Sequence, residues 1–308
     1  MQEFQFLDEV EYSIIREEKN RKFGTIQFCK ERYTNKELII KEITHPSQIE
    51  FLKHGGNKAL IDINHPNLPT TCKIKWMEYN RVKIVRELAE GIDLKTILAN
   101  NKLYRQLSKQ DIIHIIIQTL EAVEHLHLHN IIHQDIKPSN VIVNLANRQN
   151  GYPHVTLIDL EQSKLLNKEL TEQNTPFALI YSAPEQILKF THLIDAKTDI
   201  YTTGILLFEL LTRKRPFENL NPEFTINLQL SSPIKNDYGI DNDLFEIVKK
   251  ATYKTIFPKP PNRLKFEEIE VILMDGIKHR YQSAKEFKSA LLEKQSPQTA
   301  RKWWQIFG

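Results

Sequence analysis

The sequence predicts an α+β chain of two lobes, a small strand-rich one followed by a larger helical one. Two observations carry that expectation. Between residues 10 and 87, apolar and polar residues alternate in short runs separated by turn residues, the period of half-buried strands. Beyond residue 92, apolar residues recur at three- and four-residue spacing, the period of helices that bury one face. With 308 residues the chain can build one large or two modest cores.

In chain order, residues 12–16, 24–30 and 37–43 read as strands, with Tyr33-Thr34-Asn35-Lys36 as the turn before the third. Residues 46–64 read as helical at their far end, where Leu60 and Ile63 share a face. Gly55-Gly56 interrupts the middle, because adjacent glycines disfavour an unbroken helix. Strands follow at 71–76 and 81–87, then a short helix at 93–100. Ser108 is placed to cap a helix in which Ile112, Ile115, Ile116, Leu120 and Val123 recur at helical spacing. Two short strands, 141–144 and 155–158, flank a turn at 147–153. Helices resume at 184–189, 198–211, 243–252 and 283–293. Residues 253–278, with Pro258, Pro260 and Pro261, read as an insertion rather than a core element, and 296–308 as a tail.

Composition narrows the function classes. A net charge of +3 does not argue for nucleic acid, and none is expected as a partner. The longest apolar stretches, such as 204–211, are too short for a membrane span. Cys29 and Cys72 fit no metal-ligand spacing and read as packing residues of a reducing compartment. The first residues lack an apolar run, so a cytoplasmic location is expected.

The densest chemistry lies in His133-Gln134-Asp135-Ile136-Lys137-Pro138-Ser139-Asn140, followed by Val141-Ile142-Val143. Phosphoryl transfer needs a carboxylate to orient the attacking hydroxyl, a cation near the transferred group and an oxygen ligand for magnesium. Asp135, Lys137 and Asn140 offer all three in one loop. Downstream come Leu157-Ile158-Asp159-Leu160-Glu161, then Tyr181-Ser182-Ala183-Pro184-Glu185. The apolar run from Asp199 through Gly204 to Leu211 follows, and then Arg215-Pro216-Phe217.

On these strings, residues 10–295 resemble a protein kinase domain, and most resemble the serine/threonine kinases of bacterial type. The resemblance implies the bilobal protein-kinase fold, with a small lobe over about 10–87, a hinge at 88–92 and a large lobe over 93–295. It implies ATP and Mg²⁺ as cofactors and a protein as substrate. Asp159 would chelate magnesium with Asn140, and Asp135 and Lys137 would act on the reacting groups. Lys41 would contact the α- and β-phosphates, and Gly24 would end the phosphate loop. The backbone of Glu87 and Ala89 would meet adenine. Glu185 would pair with Arg280, and Asp199 would brace the catalytic loop. Lys137, two positions after Asp135, implies transfer to serine or threonine rather than tyrosine.

Five positions depart from the family pattern. The glycine loop aligns with Lys19, Arg21 and Gly24, so its last glycine alone survives. The helix glutamate that partners the strand lysine aligns with Gly56. Glu161 replaces the glycine of Asp-Phe-Gly, Arg86 takes the gatekeeper position, and Gln134 replaces the arginine of His-Arg-Asp. A buried cation needs a carboxylate beside it. The expectation is therefore that Glu161, or else Glu50, serves Lys41 or Arg86, against the alternative that Arg86 and Glu161 reach solvent separately. Without an arginine at 134, phosphorylation of Thr171 or Thr175 is not expected to be required for activity.

Two other functions compete. A pseudokinase, binding nucleotide or partners with little transfer, is favoured by the degraded glycine loop, Gly56 and Glu161. A small-molecule phosphotransferase is suggested by Asp159-Leu160-Glu161, which resembles the Asp-x-Glu segment of aminoglycoside and choline kinases. Lys137-Pro138, Ala183-Pro184-Glu185 and the helix from Asp199 argue against it. The segment from Arg301 to Phe307, with Trp303 and Trp304, could dock on a partner or a membrane surface, or pack on its own domain.

Overall fold

The computed structural model describes residues 4–7, 10–20, 24–166 and 180–295. Arg21, Thr171, Thr175 and the tail expected at 296–308 lie outside the described residues.

The small lobe is an antiparallel six-stranded sheet in the order β1-β2-β3-β4-β6-β5. Its strands are β1 (Phe4–Leu7), β2 (Val10–Asn20), β3 (Gly24–Glu31), β4 (Glu37–Ile43), β5 (Thr71–Met77) and β6 (Arg81–Glu87). Alternation fixes the register: Ile40 pairs with Val85 and Leu38 with Glu87, so Leu38, Ile40 and Val85 share a small core with Tyr12 and Cys29. Between β4 and β5 lie α1 (Pro46–Phe51), a π turn (Leu52–Gly56) and α2 (Asn57–Asp62). The expected interruption falls at the glycine pair, where Gly55 has φ 113°.

After β6 the chain forms β7 (Ile92–Asp93) and two short helices, α3 (Leu94–Ala99) and α4 (Asn101–Tyr104). Asp93 caps α3 through Thr96 N at 2.9 Å. Helix α5 (Lys109–Leu128) opens on a capping box. Ser108 Oγ accepts from Asp111 N at 3.0 Å, and Asp111 Oδ2 accepts from Ser108 N at 2.9 Å. Its Ile112, Ile115, Ile116, Leu120 and Val123 enter the main core as the periodicity required.

Next come β8 (Ile131–Ile132), the hairpin of β9 (Val141–Gln149) and β10 (Tyr152–Leu157), and β11 (Lys164–Leu165), which pairs with β8. The hairpin is longer than the two short strands expected. Its tip is exposed and polar, so alternation fades there, and the turn tightens to Asn150-Gly151, both at positive φ.

The remaining elements are α6 (Pro184–Ile187), α7 (Ala196–Thr212), α8 (Pro222–Ser231), α9 (Asn242–Ala251), α10 (Phe266–Lys278) and α11 (Ala284–Gln295). Helix α7 is buried along nearly its whole length. Helix α8 was not expected, because the residues it buries mix Thr225 and Gln229 with Leu230 and leave no clear apolar stripe. The stretch 253–278, expected to stand apart from the core, is corrected in its second half. There α10 buries Leu273 in a cluster with Phe190, Leu230 and Phe257. The three prolines fall between α9 and α10, after the first has ended and before the second begins, so they prevent neither. Among the described residues, no helix is long and apolar enough to cross a membrane.

Candidate active site

Asp199 of α7, fully buried, organises the loop between β8 and β9. Its Oδ2 accepts from His133 N at 2.8 Å and its Oδ1 from Gln134 N at 2.9 Å. His127 Nε2 also bonds Oδ2, at 2.8 Å. Gln134 sits at φ 66°, which lets two consecutive amides converge on one carboxylate. The His133 ring then ties the loop to the end of β10. Its Nδ1 accepts from Asp135 N at 3.2 Å, so Nε2 carries the proton donated to Ile158 O at 2.9 Å.

Asp135 is 4% exposed. Its Oδ2 accepts from Lys137 Nζ at 2.5 Å, Asn140 Nδ2 at 2.9 Å and Gln162 Nε2 at 3.0 Å. Burial raises the Asp135 pKa above its ordinary value, and the Lys137 ammonium opposes that rise without cancelling it. The Asn140 amide donates to Asp135 O at 2.8 Å as well. With Nδ2 committed twice, Asn140 Oδ1 is left with a single long contact, Ser139 Oγ at 3.3 Å.

The second segment begins at Asp159, in the left-handed conformation (φ 70°, ψ 48°), and continues into a 3₁₀ turn (Leu160–Gln162). Lys41 of β4 reaches down to it: Nζ donates to Asp159 Oδ1 and lies 3.6 Å from Glu161 Oε2. The other oxygen, Glu161 Oε1, lies 2.8 Å from Arg86 Nη1. Arg86 of β6 is steadied in turn by Thr71 Oγ1, which accepts from its Nε at 3.1 Å. The Arg86 and Glu161 side chains are 4% and 2% exposed, so the reading in which they reach solvent separately is excluded. Burial alone would lower the Lys41 pKa, but Asp159 and Glu161 hold it above the usual value. Burial alone would raise Asp159, but Lys41 holds it below the carboxylate range.

The helix position aligned with the family glutamate cannot hold one. A Cβ on Gly56 would lie 2.6 Å from Phe51 O and 2.7 Å from the Phe51 ring. Lys41 therefore takes its carboxylates from the segment after β10 instead of from α1 and α2. Of the two carboxylates named from the sequence, Glu161 fills the role.

The structure brings Lys41, Asp135, Lys137, Asn140 and Asp159 together as two bonded groups, Asp135 with Lys137 and Asn140, and Lys41 with Asp159, near enough for Asp159 to act on the Asp135 carboxyl. Gly24, Glu87 and Ala89 lie outside these groups. Gly24 opens β3 at φ 98°, where a Cβ would overlap Glu42 O, so the backbone there requires glycine. Glu87 ends β6; its N donates to Thr70 O at 3.1 Å, its side chain takes a bond from Lys36, and Leu88 N donates to Glu37 O at 3.1 Å. Ala89 follows at the lobe junction. Sequence reasoning missed Gln162, Thr71 and His127. None belongs to a motif string or an apolar period; only Gln162, adjoining Glu161, stood near a position already marked.

Farther down, Glu185 and Arg280 form the buried pair that the resemblance implied. Arg280 Nη1 donates to Glu185 Oε1 at 2.7 Å and Nη2 to Oε2 at 3.0 Å. Gln134 has no charge to offer: its side-chain amide donates to Gln162 O at 3.2 Å, and its backbone carbonyl accepts from Gln186 Nε2 at 2.9 Å.

The residues present fit a nucleotide with a hard divalent cation. Asn140 Oδ1 and the Asp159 carboxylate are oxygen donors. Among the described residues no cluster of three or more His, Cys, Asp or Glu could hold a metal by itself. A cation here would complete its shell with phosphate and water, as Mg²⁺ does.

The comparisons agree with the geometry. The chain matches the family model of the protein kinase domain over residues 21–298. It is 30% identical over 224 residues to the probable serine/threonine-protein kinase PknB of Lactococcus lactis subsp. lactis (strain IL1403), covering 70% of this chain and 33% of that protein. It is 27% identical over 255 residues to the serine/threonine-protein kinase PrkC of Bacillus subtilis (strain 168), covering 80% and 38%. The serine/threonine-protein kinase unc-51 of Caenorhabditis elegans is 30% identical over 194 residues, covering 61% and 20%. The chain thus spans well under half the length of these relatives. With that family model matched over most of its length, the chain belongs to the protein kinase domain family.

Proposed function

We propose that this chain transfers the γ-phosphoryl group of ATP to a serine or threonine hydroxyl of a protein, with Mg²⁺ as the metal. The observation that carries the reading is the direct bonding of Asp135 to both Lys137 and Asn140, with Lys41 paired to Asp159 across the cleft. Each role that phosphoryl transfer requires then has a residue in place.

Asp135 orients the incoming hydroxyl and accepts its proton at a carboxylate oxygen. Lys137 lies against Asp135, where it can also meet the transferred group. Lys41 holds the α- and β-phosphates, while Asn140 Oδ1 and Asp159 hold the metal. When bound, the metal supplies charge neutralisation on the phosphoryl oxygens. Gly24 closes the phosphate loop, and the backbone of Glu87 and Ala89 takes adenine. The large lobe, with α6 to α11, receives the protein substrate.

A pseudokinase is the reading that the altered small lobe invites. Against it, Lys41 has its carboxylates despite Gly56, and Asp135, Lys137 and Asn140 bond one another in the loop. The test is radiolabel transfer from γ-labelled ATP with Mg²⁺, followed by phosphoamino-acid analysis. The expected result is labelled serine or threonine, abolished in Asp135→Asn. Nucleotide-dependent thermal stabilisation without transfer would support the pseudokinase instead.

A further inference from the structure

A cavity of about 510 Å³ opens beside the catalytic loop, with Lys95, Lys137, Arg213, Arg215, Glu209 and Glu218 in its lining. Lys137 joins it to the reaction centre, because its Nζ donates to Asp135 Oδ2 at 2.5 Å. A polypeptide that presents a hydroxyl to Asp135 would bring its neighbouring residues beside this cavity, because Lys137 borders both.

The two carboxylates in the lining already have partners. Glu209, whose side chain is 9% exposed, accepts from Tyr181 OH at 2.7 Å and from Arg215 Nε at 3.3 Å. Arg215 Nη1 bonds Glu218 Oε1 at 2.7 Å. One guanidinium therefore sits between both acids, and Lys137 is matched by Asp135. Arg213 directs its N–H groups at neutral oxygens, Asn101 Oδ1 and Leu98 O, both at 2.6 Å. It stands at φ 57° just after α7, with its guanidinium 4.7 Å from the Tyr104 ring centre, so its position is fixed. Lys95, exposed in the first turn of α3, makes no ion pair among the described residues. Among the described residues, two cations thus face the cavity without a carboxylate, while both acids are satisfied internally.

We propose that this cavity binds an acidic side chain of the protein substrate, close in sequence to the phosphorylated residue, with Lys95 and Arg213 as its charge partners. The proposal rests on the reading of the chain as a protein kinase. Charge pairing near the surface acts mainly on specificity, and a preference of about tenfold is the expected scale. A basic side chain would meet Lys95 and Arg213 with like charge and find Glu209 already bonded.

The test is equilibrium binding of fluorescent serine peptides to the full chain, read by anisotropy, with radiolabel transfer followed in parallel. Four peptides flank the serine on both sides with aspartate, phosphoserine, alanine or arginine. The aspartate peptide is expected to bind about tenfold more tightly than the arginine one. Lys95→Glu with Arg213→Glu is expected to reverse that order, which loss of fold alone cannot do. Should the pair of changes unfold the chain, Lys95→Glu alone, at an exposed site, must narrow the preference. Tighter binding of the phosphoserine peptide would identify phosphate as the preferred anion of the same pocket. Equal binding of all four peptides, a preference for arginine, or an order unchanged in the folded variants would overturn the proposal. Ordered binding with no transfer to any peptide would leave the pocket standing and remove the kinase reading.

Discussion

Arg86 and Glu161 show how two changes in one site can depend on each other. Each is a charge buried to a few per cent exposure, and removing either one withdraws the nearest opposite charge from the other in a low-dielectric interior. Replacing Arg86 with alanine is expected to cost about 3 kcal/mol of stability, because Glu161 loses its 2.8 Å partner and keeps only Lys41, 3.6 Å from its other oxygen. Urea unfolding measures it, and a loss within about 0.5 kcal/mol of zero, the scale of an ordinary surface change, would contradict the pairing. Asp135 carries a pH consequence. In the proposed role of base it must be ionised to accept a proton, and burial raises this carboxyl, so activity is expected to rise with pH through a midpoint above the ordinary aspartate value of about 3.9. Lys137→Met removes the opposing cation and should move that limb to higher pH in a kcat profile. The sequence marked the positions of this network as anomalies. It could not join them, because Lys41, Arg86 and Glu161 come from separate strands and a turn, and only folding makes them neighbours.

At the scale of elements, legibility followed pattern strength. Helix α5 was readable at both cap and core because one face is apolar over 20 residues. Ser108→Ala should cost about 1 kcal/mol in a thermal or urea melt, the usual worth of a lost N-cap. The reciprocal Asp111 adds a pH term. Burial raises its pKa, but Ser108 and Arg148 more than offset that and leave it lowered. Its contribution is therefore present above the unfolded-state aspartate value of about 4 and is lost as pH falls through the lowered folded value. Helices α8 and α10 were harder to read, the first because its buried face carries polar residues, the second because prolines precede it. The loop around Gln134 gives the third prediction at this scale. With amides where the family has a guanidinium, a phosphatase-treated sample is expected to keep most of its transfer activity. An inert treated sample beside an active phosphorylated one would contradict it.

For the whole molecule, the large lobe was the more legible half because its motifs are local strings whose parts also hold the fold. Asp199 carries the loop that holds Asp135, and Glu185 with Arg280 fastens α6 to the residues just after α10. The small lobe kept its strands and register but changed its charges. Its function therefore had to be read from contacts across the cleft, where spacing along the chain is uninformative. The central claim is that Lys41 is positioned for transfer by the segment after β10, with Glu161 in place of a helix glutamate. The direct measurement is steady-state transfer by folded Glu161→Ala against wild type, with ATP varied. The account predicts a loss in kcat/KM for ATP of about a hundredfold, the scale expected when a positioned group shifts by about an ångström. A Glu161→Ala protein with unaltered nucleotide affinity and turnover would contradict it.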